Sequence, residues 1–359
     1  MAEHCILITG GAGFIGIALA DRLTGRPGSR LVALDNLHPQ IHPSGKRPPL
    51  LHEEAELVVA DVCDSVAWDD LLARFSPEVV IHLAAETGTA QSLDEASRHA
   101  NVNVTGTAEM LDALSRNRIQ PRLIVLASSR AVYGEGLWQT EQGTSFYPEP
   151  RTHVMLSSGK WDPDGPNNLP AQALPHAATT TFPRPSSIYG STKLAQENIL
   201  SAWCGARGVP LTIFRFQNVY GPGQSPFNAY TGIINIFHRL ARKGDTIPVY
   251  EDGQIVRDFV FIDDVADAVV AAVDLPDPYT GIIDVGTGTA TTIQAAAEVI
   301  AELNGAPAPE VCGKFRDGDV RSAVADITKM VELLGVRPTV DFREGSARVG
   351  QWLVANGYA

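Results

Sequence analysis

Thr9-Gly10-Gly11-Ala12-Gly13-Phe14-Ile15-Gly16 follows an apolar run at residues 5–9 and opens a segment with Ile15, Leu19 and Leu23 at helical spacing. It reads as G-x-G-x-x-G over Gly11, Gly13 and Gly16, and as G-x-x-G-x-x-G over Gly10, Gly13 and Gly16. One glycine permits a tight turn, another lets a pyrophosphate approach the main chain, and the last lets helix and strand pack closely. The helix N-terminus adds unpaired N–H groups and the positive end of a dipole. A glycine motif alone is a weak signal. A strand before it and a helix after it supply the context of a dinucleotide cradle, with Gly10, Gly13, Phe14, Ile15 and Gly16 as expected contacts.

Outward from this turn, residues 30–34, 56–60, 79–83 and 123–127 read as further short, apolar strands, with helical connectors at 67–75 and 101–116. Continuous apolar strands alternating with helices predict an α/β fold, a doubly wound parallel sheet covered on both faces. Asp35 ends the second strand, 19 residues after Gly16. A carboxylate there accepts hydrogen bonds from adenosine ribose hydroxyls and repels a 2′-phosphate, which favours NAD over NADP. The plainer alternative is that Asp35-Asn36 starts a turn. Asp61-Val62, after the third strand, stands where an adenine contact would sit, although for the pair in isolation an ordinary strand-end turn is the better reading.

The rhythm breaks at residues 135–185, rich in Pro, Gly, Ser, Thr and Asn. An irregular stretch of that length is normally a lid, a cap or a mobile segment. The pattern resumes with a helix from 188 to about 205, a strand at 211–216 and helices near 233–242 and 264–273. Smaller mixed α/β material follows from about 276, with helices at 292–304 and 327–334. The expected organisation is a cofactor domain at 1–190 carrying the insertion 135–185, then a mainly substrate-binding domain at 191–359. Residues 211–220 and 255–285 are expected to return to the first.

The chain has 359 residues and a net charge of −13. Without a basic excess it offers no surface for nucleic acid or anionic lipid. Small anions need only a few local arginines. Cys5, Cys63, Cys204 and Cys312 form no C-x-x-C pair, so reduced cytoplasmic thiols are expected, with no metal site. His38, His42 and His52 share a Pro-rich loop, but their spacing matches no metal motif. No run of 18 apolar residues and no basic leader occurs, so neither a membrane span nor a signal peptide is expected.

Tyr189-Gly190-Ser191-Thr192-Lys193 places a phenol and an ammonium four apart at a helix start, on one face. Of eight tyrosines, only Tyr189 has Lys at +4. The plain alternative is a surface Lys stacked on a half-buried Tyr. The functional reading is a proton carrier: a nearby ammonium, or an oxidised nicotinamide, favours the phenolate. A hydroxyl partner should come from Ser128-Ser129, at the carboxyl edge of the sheet.

Together these motifs resemble the extended short-chain dehydrogenase/reductase family, the NAD-dependent nucleotide-sugar epimerases and dehydratases. The matching pieces include residues 9–16, Asp35, Asp61-Val62, His82-Leu83-Ala84-Ala85, residues 101–107, 128–134, 189–193, 215–224, 251–264 and 318–326. The resemblance implies Ser129 as the catalytic hydroxyl, Tyr189 as acid/base and Lys193 as its partner and a hold on the nicotinamide ribose. It further implies cofactor contacts at Asn36, Leu83, Ala84, Ala85 and Asn103, and a sugar diphosphate held by Asn218, Arg257 and Arg321. Arg130 is a further candidate for substrate, or for an ion pair with an acid of the insertion.

Dehydratases of this family carry Asp-Glu after the catalytic hydroxyl, and related decarboxylases keep the Glu. Here the pair is Arg130-Ala131. With no carboxylate there, the resemblance implies a 4-epimerase working through a transient 4-keto sugar. A net 4-ketoreductase or dehydrogenase is the alternative, and a non-catalytic NAD-binding regulator a lesser one. A narrower resemblance, to dTDP-L-rhamnose 4-epimerase-type proteins, rests on residues 35–40, the insertion after Gly136, and Asn228-Ala229-Tyr230-Thr231-Gly232. Some of those carry Cys-x-x-Cys in the insertion; this one has no Cys there. A homodimer through helices 101–116 and 188–205 is expected by the same resemblance. Val104, Met110, Leu111, Leu194, Ile199 and Leu200 suit either that interface or the core.

Overall fold

The structure, a computed structural model, describes residues 4–226 and 232–358. Residues 228–231 of the narrower resemblance lie outside the described residues.

Seven parallel strands form the central sheet: β1 (His4–Thr9), β2 (Ser29–Asp35), β3 (Glu56–Val59), β4 (Val79–His82), β5 (Leu123–Ser129), β6 (Leu211–Phe216) and β7 (Gly281–Val285). Their spatial order is β7-β6-β5-β4-β1-β2-β3. The order reverses beside β1, which opens a crevice at the carboxyl ends of β1 and β4. Helices α1 (Phe14–Leu23), α2 (Ser65–Arg74), α3 (Gly106–Arg116) and α4 (Ile188–Arg207) cover the sheet.

Alternation along each strand explains the two layers. Ile6, Ile8, Ala33, Ile81 and Val125 point into one core, shared with Leu19 and Leu23 of α1. Cys5, Leu7, Val32, Val80, Ile124 and Leu126 point into the other, shared with Trp68, Met110, Leu111 and Leu200. Met110, Leu111 and Leu200 therefore belong to the core. Val104, Leu194 and Ile199 are half-buried.

Helix α6 (Ile262–Asp274) returns to pack on α1, clasped by Arg22 to Asp263 and Asp267, both at 2.8 Å. Residues 255–261 do not join the main sheet. Val256–Arg257 pairs with Thr291–Thr292 and Ser322–Ala323, and Phe259–Phe261 with Asn218–Tyr220. A third core gathers Tyr220, Phe237, Phe259, Phe261, Ile300 and Leu353 under α5 (Ile233–Arg242), α7 (Ile293–Asn304) and α8 (Phe342–Ala355).

The insertion is only partly irregular. Trp138–Thr140 is the middle of a small antiparallel sheet, flanked by Ser145–Phe146 and Ala171–Ala173, and His153–Ser157 is a short helix. Strands of two or three residues are too short to show an alternation in sequence. The insertion is also tied down. Arg151 bridges Glu135 and Glu251, and His176 exchanges main-chain bonds with Val324 and Asp326.

Three buried imidazoles make stability depend on acid. Burial pushes His82 and His176 down to about 3 and His238 to about 4; nearby arginines add to the effect at His176. Below the ordinary histidine value the unfolded chain binds protons that the fold refuses, so stability must fall as pH drops from about 6.5. Asp284, pushed up to about 6 mainly by burial, opposes this because the fold then binds one proton more. Burial raises the Glu135 and Asp258 carboxyls too, which opposes the loss in the same way, so the net fall is smaller than the about 4 kcal/mol per pH unit that three imidazoles alone would give near pH 5. Urea unfolding from pH 7 to pH 5 measures it; a flat profile would contradict the neutral imidazoles.

Candidate active site

The cradle is built as its glycines require. Gly10 has φ +67°, and a Cβ there would lie 2.8 Å from Ala84 N. A Cβ on Gly16 would lie 2.6 Å from Gly10 O, so this glycine lets α1 rest on the turn. Gly13 differs. It caps α1 at φ −76°, and only Gly10 O, at 3.2 Å, approaches its missing Cβ. The space beyond Gly13 is thus left for a ligand. No side chain caps α1, and among the described residues the N–H groups of Phe14, Ile15 and Gly16 bond to no main-chain acceptor. That is a site for phosphate oxygens.

Asp35 closes the cradle. Its Oδ2 accepts from Ala12 N at 3.0 Å and its Oδ1 from Leu37 N at 2.9 Å, leaving each oxygen a lone pair for a ribose hydroxyl. Asn36 donates to Asp61 Oδ2 at 3.0 Å, and Asp61 Oδ1 accepts from Cys63 N. Despite burial, these donors hold the Asp61 carboxyl below the usual range. Val62 is buried, its carbonyl taking the Trp68 indole N–H. Leu83, Ala84 and Ala85 line the exit of β4, with Ala84 N donating to Thr9 Oγ1 at 3.2 Å.

Asn103 is placed differently from its expected role. Its Oδ1 accepts from Glu86 N, and its Nδ2 donates to Glu86 O and Thr192 Oγ1 at 3.0 and 2.9 Å. Every polar atom of the amide is engaged, so Asn103 staples the loop after β4 to α4 and has no side-chain donor left for a cofactor. It sits in a π-helical turn, Asn101–Thr105, which runs directly into α3.

Ser187 caps α4, accepting from Gly190 N at 3.1 Å. Tyr189 is then fixed in the first turn, its N–H donating to Ser92 Oγ at 3.1 Å. Burial raises the phenol above its usual range; a hydrogen bond with Ser129 and the charge of Arg130 pull it back in part. Lys193 does not turn towards the phenol. Its Nζ donates to Gln196 Oε1 at 2.6 Å, and Gln196 Nε2 in turn reaches Thr107 Oγ1 at 2.8 Å, beside buried His82. Burial pushes the ammonium down to about 7, with Glu197 opposing. Two of its three hydrogens remain for a ribose.

The arginines also separate. Arg257 donates to Asp319 Oδ1 at 2.6 Å and to the carbonyls of Val256 and Val320. Arg321 is held by Asp252 through two bonds of 2.7 Å, by Asp162 of the insertion at 2.7 Å, and by Glu251 at 3.2 Å. Its guanidinium clasps the insertion to the C-terminal part and is not open to a diphosphate. The partners lie at 162 and 251–252, beyond the reach of the G-D-V-R pattern. Arg130 donates from Nε to Asn218 Oδ1 at 3.1 Å. No acid of the insertion lies within 4.0 Å of it, Glu135 being bonded to Arg151; burial and then Arg257 draw the guanidinium down to about 10, with Asp319 and, at longer range, Glu135 opposing.

The NAD dependent epimerase/dehydratase family model matches residues 6–286. The chain belongs to this family. It is 53% identical over 348 residues to a dTDP-L-rhamnose 4-epimerase of Burkholderia thailandensis, covering 97% of this chain and 94% of that one. Among solved structures it is similar to the UDP-glucose 4-epimerase of Thermotoga maritima with UDP-glucose, at 28% identity and a TM-score of 0.79, covering 98% of this chain and 99% of that one. It is also similar to the Thermus thermophilus UDP-glucose 4-epimerase with NAD, at 28% identity and a TM-score of 0.76, with the same coverage.

The cradle fits the cofactor of an NAD-dependent epimerase: an open face at Gly13, free helix N–H groups and an acid where a 2′-phosphate would be repelled. Gln196, Thr107, His82 and Ser92 support the site but escape a sequence reading. Gln196, Thr107 and His82 act on one another and on the Lys193 side chain, and Ser92 on the Tyr189 main chain; His82 and Thr107 fall in matched segments without a role read for them, and only the three-residue step from Lys193 hints at Gln196. Among the described residues no group of three His, Cys, Asp or Glu could hold a metal. No helix there is long and apolar enough to cross a membrane.

Proposed function

We propose that the chain is an NAD-dependent nucleotide-sugar 4-epimerase acting on a dTDP-deoxyhexose, of which dTDP-L-rhamnose is the leading candidate. The observation that carries this is the turn of Ser129 resting on the first turn of α4, which holds Tyr189, beside an NAD cradle and continuing as Arg130-Ala131. Proton transfer at a sugar hydroxyl needs a hydroxyl to orient the oxygen and a phenol to take and return the proton. Expelling water from the ring needs an acid and a base beyond these, and the turn has neither.

Ser129 orients the 4-hydroxyl, and Tyr189 accepts its proton as the sugar becomes a 4-ketone. NAD, when bound, supplies the hydride acceptor and donor at C4. Lys193 holds the nicotinamide ribose with its two spare hydrogens. Asn218 holds the diphosphate, joined by Arg257 once a phosphate oxygen displaces its Asp319 carboxylate, so the hexose can turn about it and present its other face. Tyr189 then gives the proton back. The identity to the Burkholderia protein supports a dTDP-sugar.

Residues 1–190 serve as the cofactor domain and 191–359 mainly as the substrate domain, with β6, α6 and β7 returned to the first. We further place the enzyme in the cytoplasm, as a homodimer meeting through the solvent faces of α3 and α4. The test is a panel of dTDP- and UDP-hexoses incubated with the purified protein and read by NMR at C4. An inverted dTDP-deoxyhexose with no net change in NADH supports the proposal. NADH consumed or formed mole for mole with product would instead indicate a net reductase or dehydrogenase.

A further inference from the structure

Four elements meet along a buried line of hydrogen bonds that ends on Lys193. Thr9 closes β1 and His82 closes β4, and the two are paired in the sheet. Thr107 lies in the first turn of α3, and Gln196 stands three residues after Lys193 on α4. Thr9, His82, Thr107 and Gln196 are fully buried, and Lys193 is only 2% exposed.

The direction of each bond follows from its neighbours. Ala84 N donates to Thr9 Oγ1, so the Thr9 hydroxyl gives its own hydrogen to His82 Nδ1, at 2.7 Å. His82, kept neutral by burial and by Lys193, then carries its one proton on Nε2 and donates it to Thr107 Oγ1 at 3.0 Å. Thr107 Oγ1 donates to Asn103 O at 2.6 Å and accepts from Gln196 Nε2 at 2.8 Å. That leaves Gln196 Oε1 for the ammonium, 2.6 Å from Lys193 Nζ. A flipped amide would set its NH2 against the ammonium and its oxygen against the lone pairs of Thr107. Glu197 is the acid that helical spacing offers to Lys193. Its oxygens are taken by Arg215, at 2.9 and 2.6 Å, and by Ser128, so it acts on the ammonium only at longer range. A neutral amide thus aims Lys193 without cancelling its charge.

We propose that Gln196 is the positioning residue of Lys193: seated on Thr107 beside His82, it takes one Nζ hydrogen and so aims the other two at the nicotinamide ribose. This role rests on Lys193 holding that ribose. The leg from His82 to Thr9 ties the mount to the residue directly before Gly10, so the cofactor cradle and the ammonium share one frame. A buried polar network in which every member is satisfied is rigid. The two remaining hydrogens of Lys193 are its open valences.

The test is calorimetric titration of the full chain with NAD and with ADP, which lacks the nicotinamide ribose. Gln196→Leu should weaken NAD binding about fivefold or more and ADP binding less than about twofold, the size expected for one coupled side-chain pair. Gln196→Glu keeps an acceptor for Nζ and should bring NAD affinity back to within about twofold of wild type. In a Lys193→Met protein, adding Gln196→Leu should change NAD affinity by less than about twofold, because no ammonium is left to aim. Gln196→Met replaces the Leu variant should that one not fold. Equal losses of NAD and ADP would reduce Gln196 to a support of the fold and overturn the proposal. Unchanged NAD binding in Gln196→Leu, no recovery in Gln196→Glu, or an undiminished loss beside Lys193→Met would overturn it as well. Lys193→Met alone reports on the ribose role: unchanged NAD binding there would refute that role and this proposal with it. No sugar is present, so the titrations stand apart from the outcome of the substrate panel.

Discussion

Tyr189→Phe should lower kcat by about 10³-fold or more, with NAD affinity nearly unchanged. The substitution removes one oxygen from a ring already seated in the first turn of α4. The main-chain bond from Tyr189 to Ser92 and the Ser187 cap are kept, so the helix start is preserved. Neither Ser129 nor Lys193 can take over. The Ser129 oxygen already accepts from Ala131 N, and the Lys193 ammonium is turned towards Gln196. Steady-state turnover and NAD titration check the two halves separately. Turnover within tenfold of wild type would reject Tyr189 as the proton carrier, and loss of NAD binding would show that its hydroxyl is part of the cradle.

The second large effect belongs to Gly13. The φ of −76° suits a residue with a side chain, and a Cβ there meets only Gly10 O, at 3.2 Å, within the protein, which a valine shares. The fold should therefore survive with little change in unfolding midpoint. The side chain would occupy the path by which a pyrophosphate reaches the α1 N–H groups. NAD affinity should fall about 100-fold, or about 2.7 kcal/mol. Gly10→Val would be a poor substitute, because φ +67° and the 2.8 Å approach to Ala84 N make it a folding defect. Calorimetric titration with NAD, beside a urea unfolding curve, separates these cases. Undiminished NAD binding by Gly13→Val would move the cofactor out of the cradle.

What the sequence makes legible is what depends on neighbours in the chain. The glycine turn, Asp35 at a strand end, and Tyr189 with Lys193 are local patterns with local geometry. The central strands read clearly because each is a short apolar run buried on both faces, as Leu7 and Ile8 illustrate by pointing into opposite cores. Interactions between distant segments are not legible. Lys193 has the right spacing to face the phenol, but Gln196, Thr107 and His82 offer its ammonium a buried polar chain. Arg321 matches a motif, yet Asp162, Glu251 and Asp252 capture it across 159 and about 70 positions. Asn103 matches as well, and becomes a staple because both its hydrogens find acceptors. The insertion shows no periodicity because its strands are two or three residues long and its order comes from buried ion pairs.

The most direct measurement uses dTDP-L-rhamnose carrying deuterium at C4, incubated with the protein in ordinary water without added reductant. The account predicts a C4 epimer that keeps its deuterium at C4, because the hydrogen leaves and returns to the same carbon while Tyr189 handles only the hydroxyl proton. An epimer carrying solvent hydrogen at C4 would contradict it.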